Sequence, residues 1–173
     1  SMAGSAEPLM YVPMGENNEL LIINLTTDNI IGRIDELENA HGLSSSPFTE
    51  YLIAGSMRPI AAQKGKGAAK PAQVSEAEHA AHHAGSDKTP QSANPSYLSI
   101  VHPKHGHVMR RVEVRALTHH TAVSPNGKTA IAVHSGAGGI SVVDLDKMAV
   151  IKTLQTGTWP NYAVFTSDGN FLY

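Results

Sequence analysis

The chain has 173 residues, and 13 Lys plus Arg against 15 Asp plus Glu leave a formal net charge of −2, which argues against nucleic acid as the main partner. It contains no cysteine, so disulfides, thiolate catalysis, zinc–thiolate sites and iron–sulfur clusters are excluded. No stretch approaches the roughly 18–20 apolar residues of a membrane span, whereas ten histidines are unusually many for this length.

The first patterned segment, residues 21–53, reads LIINLTTDNIIGRIDELENAHGLSSSPFTEYLI. Its short apolar runs are separated by turn residues, and the run from Leu21 to Ile23 is wholly apolar, as in a buried strand. His41 precedes a Ser-Pro turn at Pro47. The pattern predicts short strands and no amphipathic helix.

The next segment, residues 58–96, reads RPIAAQKGKGAAKPAQVSEAEHAAHHAGSDKTPQSANPS. It has almost no large apolar residue, so we expect an inserted, mobile, low-complexity loop. His79, His82 and His83 have the i, i+3, i+4 spacing of one helix face, a geometry able to bind Zn²⁺ or Cu²⁺. A solvated loop that is simply rich in histidine is the alternative.

Residues 98–131, LSIVHPKHGHVMRRVEVRALTHHTAVSPNGKTAI, repeat the form of the first segment. Apolar and polar residues alternate around Val112 and Val114, and Asn126-Gly127 can supply the positive φ of a tight hairpin. The pattern predicts strands near 107–114, 119–124, 129–134 and 140–145.

The last segment, ISVVDLDKMAVIKTLQTGTWPNYAVFTSDGNFLY over residues 140–173, is a third copy. Asp144 lies 42 residues after the corresponding His102, which lies 78 after the corresponding Asn24. The longer spacing is one period plus about 36 residues, and a period near 42 with four short strands is typical of a propeller blade.

The sequence therefore predicts an all-β fold. We expect a β-propeller of four-stranded antiparallel blades over residues 9–173, with about three blade equivalents and with residues 58–96 inserted into it. A β-sandwich with coincidental spacing is the alternative.

Two stretches carry a resemblance to a known family: ISVVDLDKMAVIKTLQTG followed by WPNYAVFTSDGNFLY, and THHTAVSPNGKTAIAVH. They resemble the YVTN-type, WD40-like propeller repeats of bacterial secreted and periplasmic proteins. The repeat is similar to those in nitrous oxide reductase and haem-d nitrite reductase, and also to those in lactonases and surface-layer proteins. The resemblance implies a periplasmic or extracellular bacterial location, but a shared fold does not decide function.

Three blade equivalents are fewer than the family's closed rings contain. We therefore expect either a piece of a longer propeller or a half-propeller that self-associates to complete the ring, because open blade edges favour pairing.

The repeat places several histidines at the rim of the expected channel. His41, His119 and Asn161 share one position at the start of the innermost strand, and His120 follows. His134 ends the next strand. The resemblance to nitrous oxide reductase implies that His41, His119, His120 and His134 could ligate copper or haem; a structural role at the channel mouth is the alternative.

The HPKHGH motif and Trp159 each have a structural and a functional interpretation. The motif HPKHGH over residues 102–107 has metal-like spacing, but we expect the histidines of a hairpin tip to be solvated. Trp159 is the sole tryptophan and either packs between blades, which we favour, or stacks on a ligand at the channel mouth.

Two main functions follow. The first is a non-enzymatic propeller module that binds an unidentified protein or small ligand at its channel face. The second is part of a periplasmic redox protein that holds copper or haem through the rim histidines. The cofactors to consider are therefore copper or haem at the rim and zinc or copper at the insertion. A lactonase-like hydrolase is a weaker third, because no carboxylates lie at rim positions. For this chain alone we expect no enzymatic activity.

Overall fold

The computed structural model describes residues 7–60 and 93–173, and these form three antiparallel β-sheets. A short 3₁₀ helix, Gly15–Asn17, joins the first two strands. The strands in chain order are β1 (Leu9–Met14), β2 (Glu19–Asn24), β3 (Asn29–Ile34), β4 (Ala40–Ser44), β5 (Leu52–Ser56), β6 (Ser96–His102), β7 (His107–Val114), β8 (His120–Val123), β9 (Thr129–Val133), β10 (Ile140–Asp144) and β11 (Ala149–Leu154).

Each sheet pairs strands that are neighbours in the chain, as in propeller blades. The first sheet has the order β1-β2-β3, the second β4-β5-β6-β7, and the third β8-β9-β10-β11. The four strands predicted between residues 107 and 145 are confirmed to within a residue at each end. We refer to the sheets as blades 1, 2 and 3.

The repeated turn residues form the hairpins that the alignment predicts. The Asn24 side chain accepts hydrogen bonds from the backbone N–H groups of Thr26 at 2.8 Å and Thr27 at 3.1 Å. Asp144 accepts one from Lys147 N at 2.9 Å. This capping of the turn by a short polar side chain explains why Asn and Asp occupy the equivalent positions.

The hydrophobic core lies between the blades. Ile53, Leu98 and Ile100 of blade 2 pack against Ala130 and Val143 of blade 3 in one buried cluster. A second cluster joins blades 1 and 2, and a third joins blade 3 to the segment that follows it. Burial between sheets is the main source of stability in such an architecture.

The segment after β11 starts the same pattern again. Phe165 pairs with Leu172 in an isolated bridge, and Val164 and Tyr173 exchange backbone hydrogen bonds at 2.9 Å. The turn between them contains Gly169 with φ +73°, the conformation predicted for the Asp168-Gly169 hairpin.

The strand ends define one face of the molecule. In blades 2 and 3, one edge is marked by the residue pairs that close the strand ends. These pairs are Ala40 with Ser56, Ser96 with Val114, His120 with Val133, and Ile140 with Leu154. We call this edge the upper face. The predicted insertion leaves the sheet here, since β5 ends at Ser56 and β6 begins at Ser96; its residues 61–92 lie outside the described part.

Within the described ranges, the structure contains no helix of sufficient length and apolarity to cross a membrane.

Candidate functional site

The candidate site lies at the upper face, where the first strands of blades 2 and 3 begin. Its residues are His41 of β4, His119 and His120 at the start of β8, and Tyr162 of the following segment. We call this group the seam cluster. The backbone N–H of His119 donates to Val133 O at 3.0 Å, which holds the start of β8 against β9.

A glycine lets the two strands approach closely enough for this contact. Gly42 has φ +68°, and a Cβ at this position would lie 2.9 Å from His119 O and 3.0 Å from the Cα of His120. Lower along the same seam, Ser44 Oγ donates to Thr121 Oγ1 at 2.8 Å. At this seam, β4 of blade 2 therefore packs directly against β8 of blade 3, and polar contacts join the two strands.

His41 reaches across the seam. Its Nδ1 lies 2.8 Å from the His119 carbonyl oxygen, and the two imidazole rings are 4.7 Å apart between centroids. Since a carbonyl only accepts, Nδ1 is the donor in this contact.

His119 has an unsatisfied ring nitrogen. Its Nδ1 is buried and has no hydrogen-bond partner among the described residues. Burial lowers the pKa of the His119 imidazole, repulsion from His41 lowers it further, and the backbone of Asn161 opposes the shift. A buried polar atom without a partner is uncommon in a folded protein and calls for a physical explanation.

His120 lies beside an aromatic ring. Its imidazole contacts Tyr162 edge-on, with ring centroids 4.7 Å apart. Burial lowers the pKa of His120, and the neighbouring His119 and His41 lower it further. His119 and His120 are consequently held in the neutral form at pH 7.

His134 is built into the interior of blade 3 and not into the seam cluster. Its side chain is fully buried, with Nδ1 3.2 Å from Leu117 O and Nε2 2.8 Å from Ser141 Oγ. Burial lowers its pKa to about 4; the Leu117 hydrogen bond opposes this shift and the Arg115 charge adds to it. Neither ring nitrogen is free for a metal ion in this arrangement.

In residues 7–60 and 93–173, no set of three or more His, Cys, Asp or Glu side chains is arranged to hold a metal ion. Metal ligation by His41, His119 and His120 stays a prediction. The predicted ligands His79, His82 and His83 lie outside the described residues.

The HPKHGH hairpin lies at the opposite face from the seam cluster. His105 and His107 are exposed, as expected for a hairpin tip, but His102 is only 7 % exposed and its Nδ1 has no partner in the described chain. His102 stacks on His105 at 3.9 Å, and its Nε2 lies 3.6 Å from a carboxylate oxygen of Glu50. The hairpin pattern did not indicate this burial, because it results from packing against Tyr51 of the preceding turn.

Trp159 is 70 % exposed and does not pack between the described blades; its packing against a further blade stays a prediction. Its backbone has φ +57°. The ring lines a cleft of about 250 Å³ at the upper face, between the β9–β10 loop and the segment after β11.

The repeat alignment was the signal that located Tyr162, since it places this residue 42 positions after His120. The contact between the two rings shows that equivalent positions of successive blades meet at the upper face. No comparable signal in the sequence identified Ser141 as the partner of His134.

Comparison with known proteins supports the assignment of the fold. No family model matches the chain. It is 30 % identical over 74 residues to the uncharacterized protein YncE of Salmonella typhi and of Salmonella typhimurium; the match covers 43 % of this chain and 21 % of those proteins. Hydrazine synthase from Kuenenia stuttgartiensis, a propeller-containing protein, superimposes on 95 % of this chain with a TM-score of 0.69 and 15 % identity. The fold is that of a partial β-propeller.

This chain corresponds to only a part of each relative, 37 % of the hydrazine synthase chain and 21 % of YncE. At 15 % identity the structural likeness shows the fold alone.

Proposed function

We propose that the chain is a non-enzymatic propeller module that binds a small polar ligand or a partner protein at the seam cluster. The observation that carries this proposal is the buried His119 Nδ1, which has no partner within residues 7–60 and 93–173 and is adjacent to the rings of His41 and His120. A ligand that turns the partly exposed His119 ring outward would give this nitrogen a hydrogen-bond partner and remove the cost of leaving it unsatisfied.

The chemistry of the cluster favours binding over catalysis. None of its four side chains carries a carboxylate, whereas a catalytic histidine is normally oriented by an acidic group. The imidazoles and the phenol ring instead offer hydrogen bonds and an aromatic surface, which suit hydroxyl, carbonyl or amide groups of a ligand.

A second candidate function is electron transfer that depends on copper or haem held by the same rings. One observation favours it: the Nδ1 of His41 bonds a backbone carbonyl, an arrangement common in metal-ligating histidines, where it leaves Nε2 for the metal. His41 and His119 lie close enough to contribute two ligands, and the remainder of a site would have to come from elsewhere.

Metal analysis separates the two functions. Protein purified without a nickel column would be assayed by mass spectrometry for copper and zinc, and by absorbance after addition of haem. Stoichiometric copper, or a haem band that disappears when His119 and His120 are both replaced by Ala, supports the redox function. Metal-free protein whose Tm is unchanged by Cu²⁺, Zn²⁺ and haem contradicts it. Replacement of the exposed His105 and His107 by Ala is the matched control.

The binding function is tested by NMR of the imidazole nitrogens during a screen of small polar compounds. We expect a compound that shifts the His119 and His120 resonances and raises Tm in the wild type but not in His119→Ala. A screen in which these resonances never move, or in which the variant responds equally, contradicts the proposal.

We also infer a periplasmic or extracellular location, from the resemblance to YVTN-type repeats, and self-association of blades. Exposed apolar residues on the outer strand β11, Val150 and Ile151, support self-association, because unpaired strand edges favour pairing. A concentration-dependent mass in light scattering is expected; a monomer at every concentration contradicts the self-association.

A further inference from the structure

Trp159 adopts a backbone conformation that tryptophan rarely accepts. Its φ of +57° lies in the left-handed region, which bulky residues avoid because their Cβ crowds the backbone. The ring is 70 % exposed, so contacts within the described chain do not compensate for this strain. Strained residues of this kind concentrate at functional sites.

The other repeats provide an internal comparison. The position of Trp159 corresponds to Leu117, 42 residues earlier, and to Asn39 in the first repeat. Asn39 has φ +44°, a conformation that asparagine tolerates. Leu117 lies between two described blades and is partly exposed, less so than Trp159.

The cleft beside Trp159 is lined by uncharged groups from two loops. It has a volume of about 250 Å³, close to the lower end of the roughly 300–1,000 Å³ range of small-molecule sites. Its lining residues are Gly136, Ala137, Gly138, Gln155, Thr156, Gly157, Thr158 and Trp159.

Hydrogen bonds order these two loops before any ligand arrives. Arg115 donates from Nη1 to Gln155 Oε1 at 3.0 Å and from Nη2 to Ala137 O at 3.3 Å, so it braces one loop against the other. The Gln155 carboxamide therefore keeps its NH₂ group as a donor. Thr156 Oγ1 accepts from Gly139 N at 3.0 Å, a second link between the loops.

We propose that this cleft binds a neutral carbohydrate, with Trp159 as the stacking platform. A sugar ring presents an apolar C–H face that packs on indole and a hydroxyl edge that bonds to amides and hydroxyls, and both kinds of partner line the cleft. A rigid exposed tryptophan offers such contact at a low entropic cost. The lining has no carboxylate or ammonium group to pair with a charged ligand. None of the lining residues belongs to the seam cluster, so the inference goes beyond the proposed function.

The sole tryptophan of the chain makes a direct experiment available, because its fluorescence reports on the cleft alone. Maltotriose, cellotriose and chitotriose would be titrated in turn into the wild-type protein. We expect at least one of them to give a saturable change in emission and to protect Trp159 from iodide quenching. If none changes the emission, the proposal is overturned.

Trp159→Asn is the matched variant, since asparagine suits the backbone and is the residue of the first repeat. We expect it to lose binding in calorimetry at least tenfold and to keep a Tm equal to or above that of the wild type. Trp159→Phe should weaken binding several-fold, and Phe48→Ala, at an exposed ring of another turn, should leave it unchanged.

Three results overturn the proposal: full affinity in Trp159→Asn, tighter binding of the acidic glycan heparin than of the neutral glycans, or loss of glycan binding when His119 and His120 are replaced by Ala. The last would place the glycan at the seam cluster. Failure of the histidine screen described above would leave the cleft proposal intact.

Discussion

The interior histidine of blade 3 and the histidines of the seam cluster lie at the same face, yet the structure uses them differently. His134 is fully buried and both of its ring nitrogens have partners, Leu117 O and Ser141 Oγ. His119 has an equally buried Nδ1 with no partner among the described residues. The comparison teaches that burial of a ring nitrogen does not by itself decide whether that nitrogen has a hydrogen-bond partner, because the two rings differ in their partners and not in the burial of Nδ1.

The largest expected effect on the free energy of unfolding is at the interior histidine, His134. His134→Ala removes a buried ring and leaves Ser141 and Leu117 without a partner, so we expect a loss of about 3–5 kcal/mol in the free energy of unfolding. Urea denaturation measures it, with His107→Ala as an exposed control. A loss below about 1 kcal/mol would show that the ring is not a structural element.

The close approach of the two first strands is tested by a pair of glycines with the same φ of +68°. Gly42→Ala adds a Cβ 2.9 Å from His119 O, whereas Gly106→Ala adds one with no atom within 4 Å. We expect about 1–2 kcal/mol of backbone strain in Gly106→Ala and about 3 kcal/mol or more in Gly42→Ala, where the clash is added. Equal losses would contradict tight packing at the seam.

The pH dependence of the free energy of unfolding provides a second test of the structural role of His134. Burial lowers the pKa of His134 from 6.5 to about 4, so the unfolded chain binds more protons between these values. Stability is therefore complete above pH 6.5 and falls as the pH drops toward 4, by at most about 3 kcal/mol. Denaturation at a series of pH values should show this slope, and it should flatten in His134→Gln. An unchanged slope in the variant would assign it to other groups.

The smallest effect on the free energy of unfolding is expected at His119 of the seam cluster. His119→Ala removes an unsatisfied buried nitrogen together with one ring contact, so the free energy of unfolding should change by less than about 1 kcal/mol. Denaturation of this variant beside His134→Ala gives the direct contrast. A loss as large as that of His134→Ala would make His119 structural and weaken its assignment to binding.

Much of the fold could be predicted because its signals are local and repeated. The alternation around Val112 and Val114, the Asn126-Gly127 turn and the spacing from His102 to Asp144 each reflect constraints acting within one hairpin. The family resemblance added the arrangement of the blades. The same spacing predicts an insertion over residues 58–96, since an otherwise regular repeat is interrupted there, and this stays a prediction.

The candidate site could be predicted only in part. The alignment brought His41, His119 and His120 to one end of the first strands, and the structure places these three together. It also grouped His134 with them, although that ring turns into the blade and bonds Ser141. Side-chain direction at the end of a strand depends on the partners available in the next strand, which spacing does not specify.

The sequence by itself determined the strands, the hairpins and the equivalence of positions between blades, because these depend on backbone preferences and on a period of about 42 residues. Among the residues that the structure describes, tertiary contacts decided which polar atoms have partners: they satisfied His134, gave His119 Nδ1 none and buried His102. Those outcomes depend on contacts between residues far apart in the chain, such as His41 with His119. Hydrogen bonding at such contacts is set by ångström-scale packing between blades.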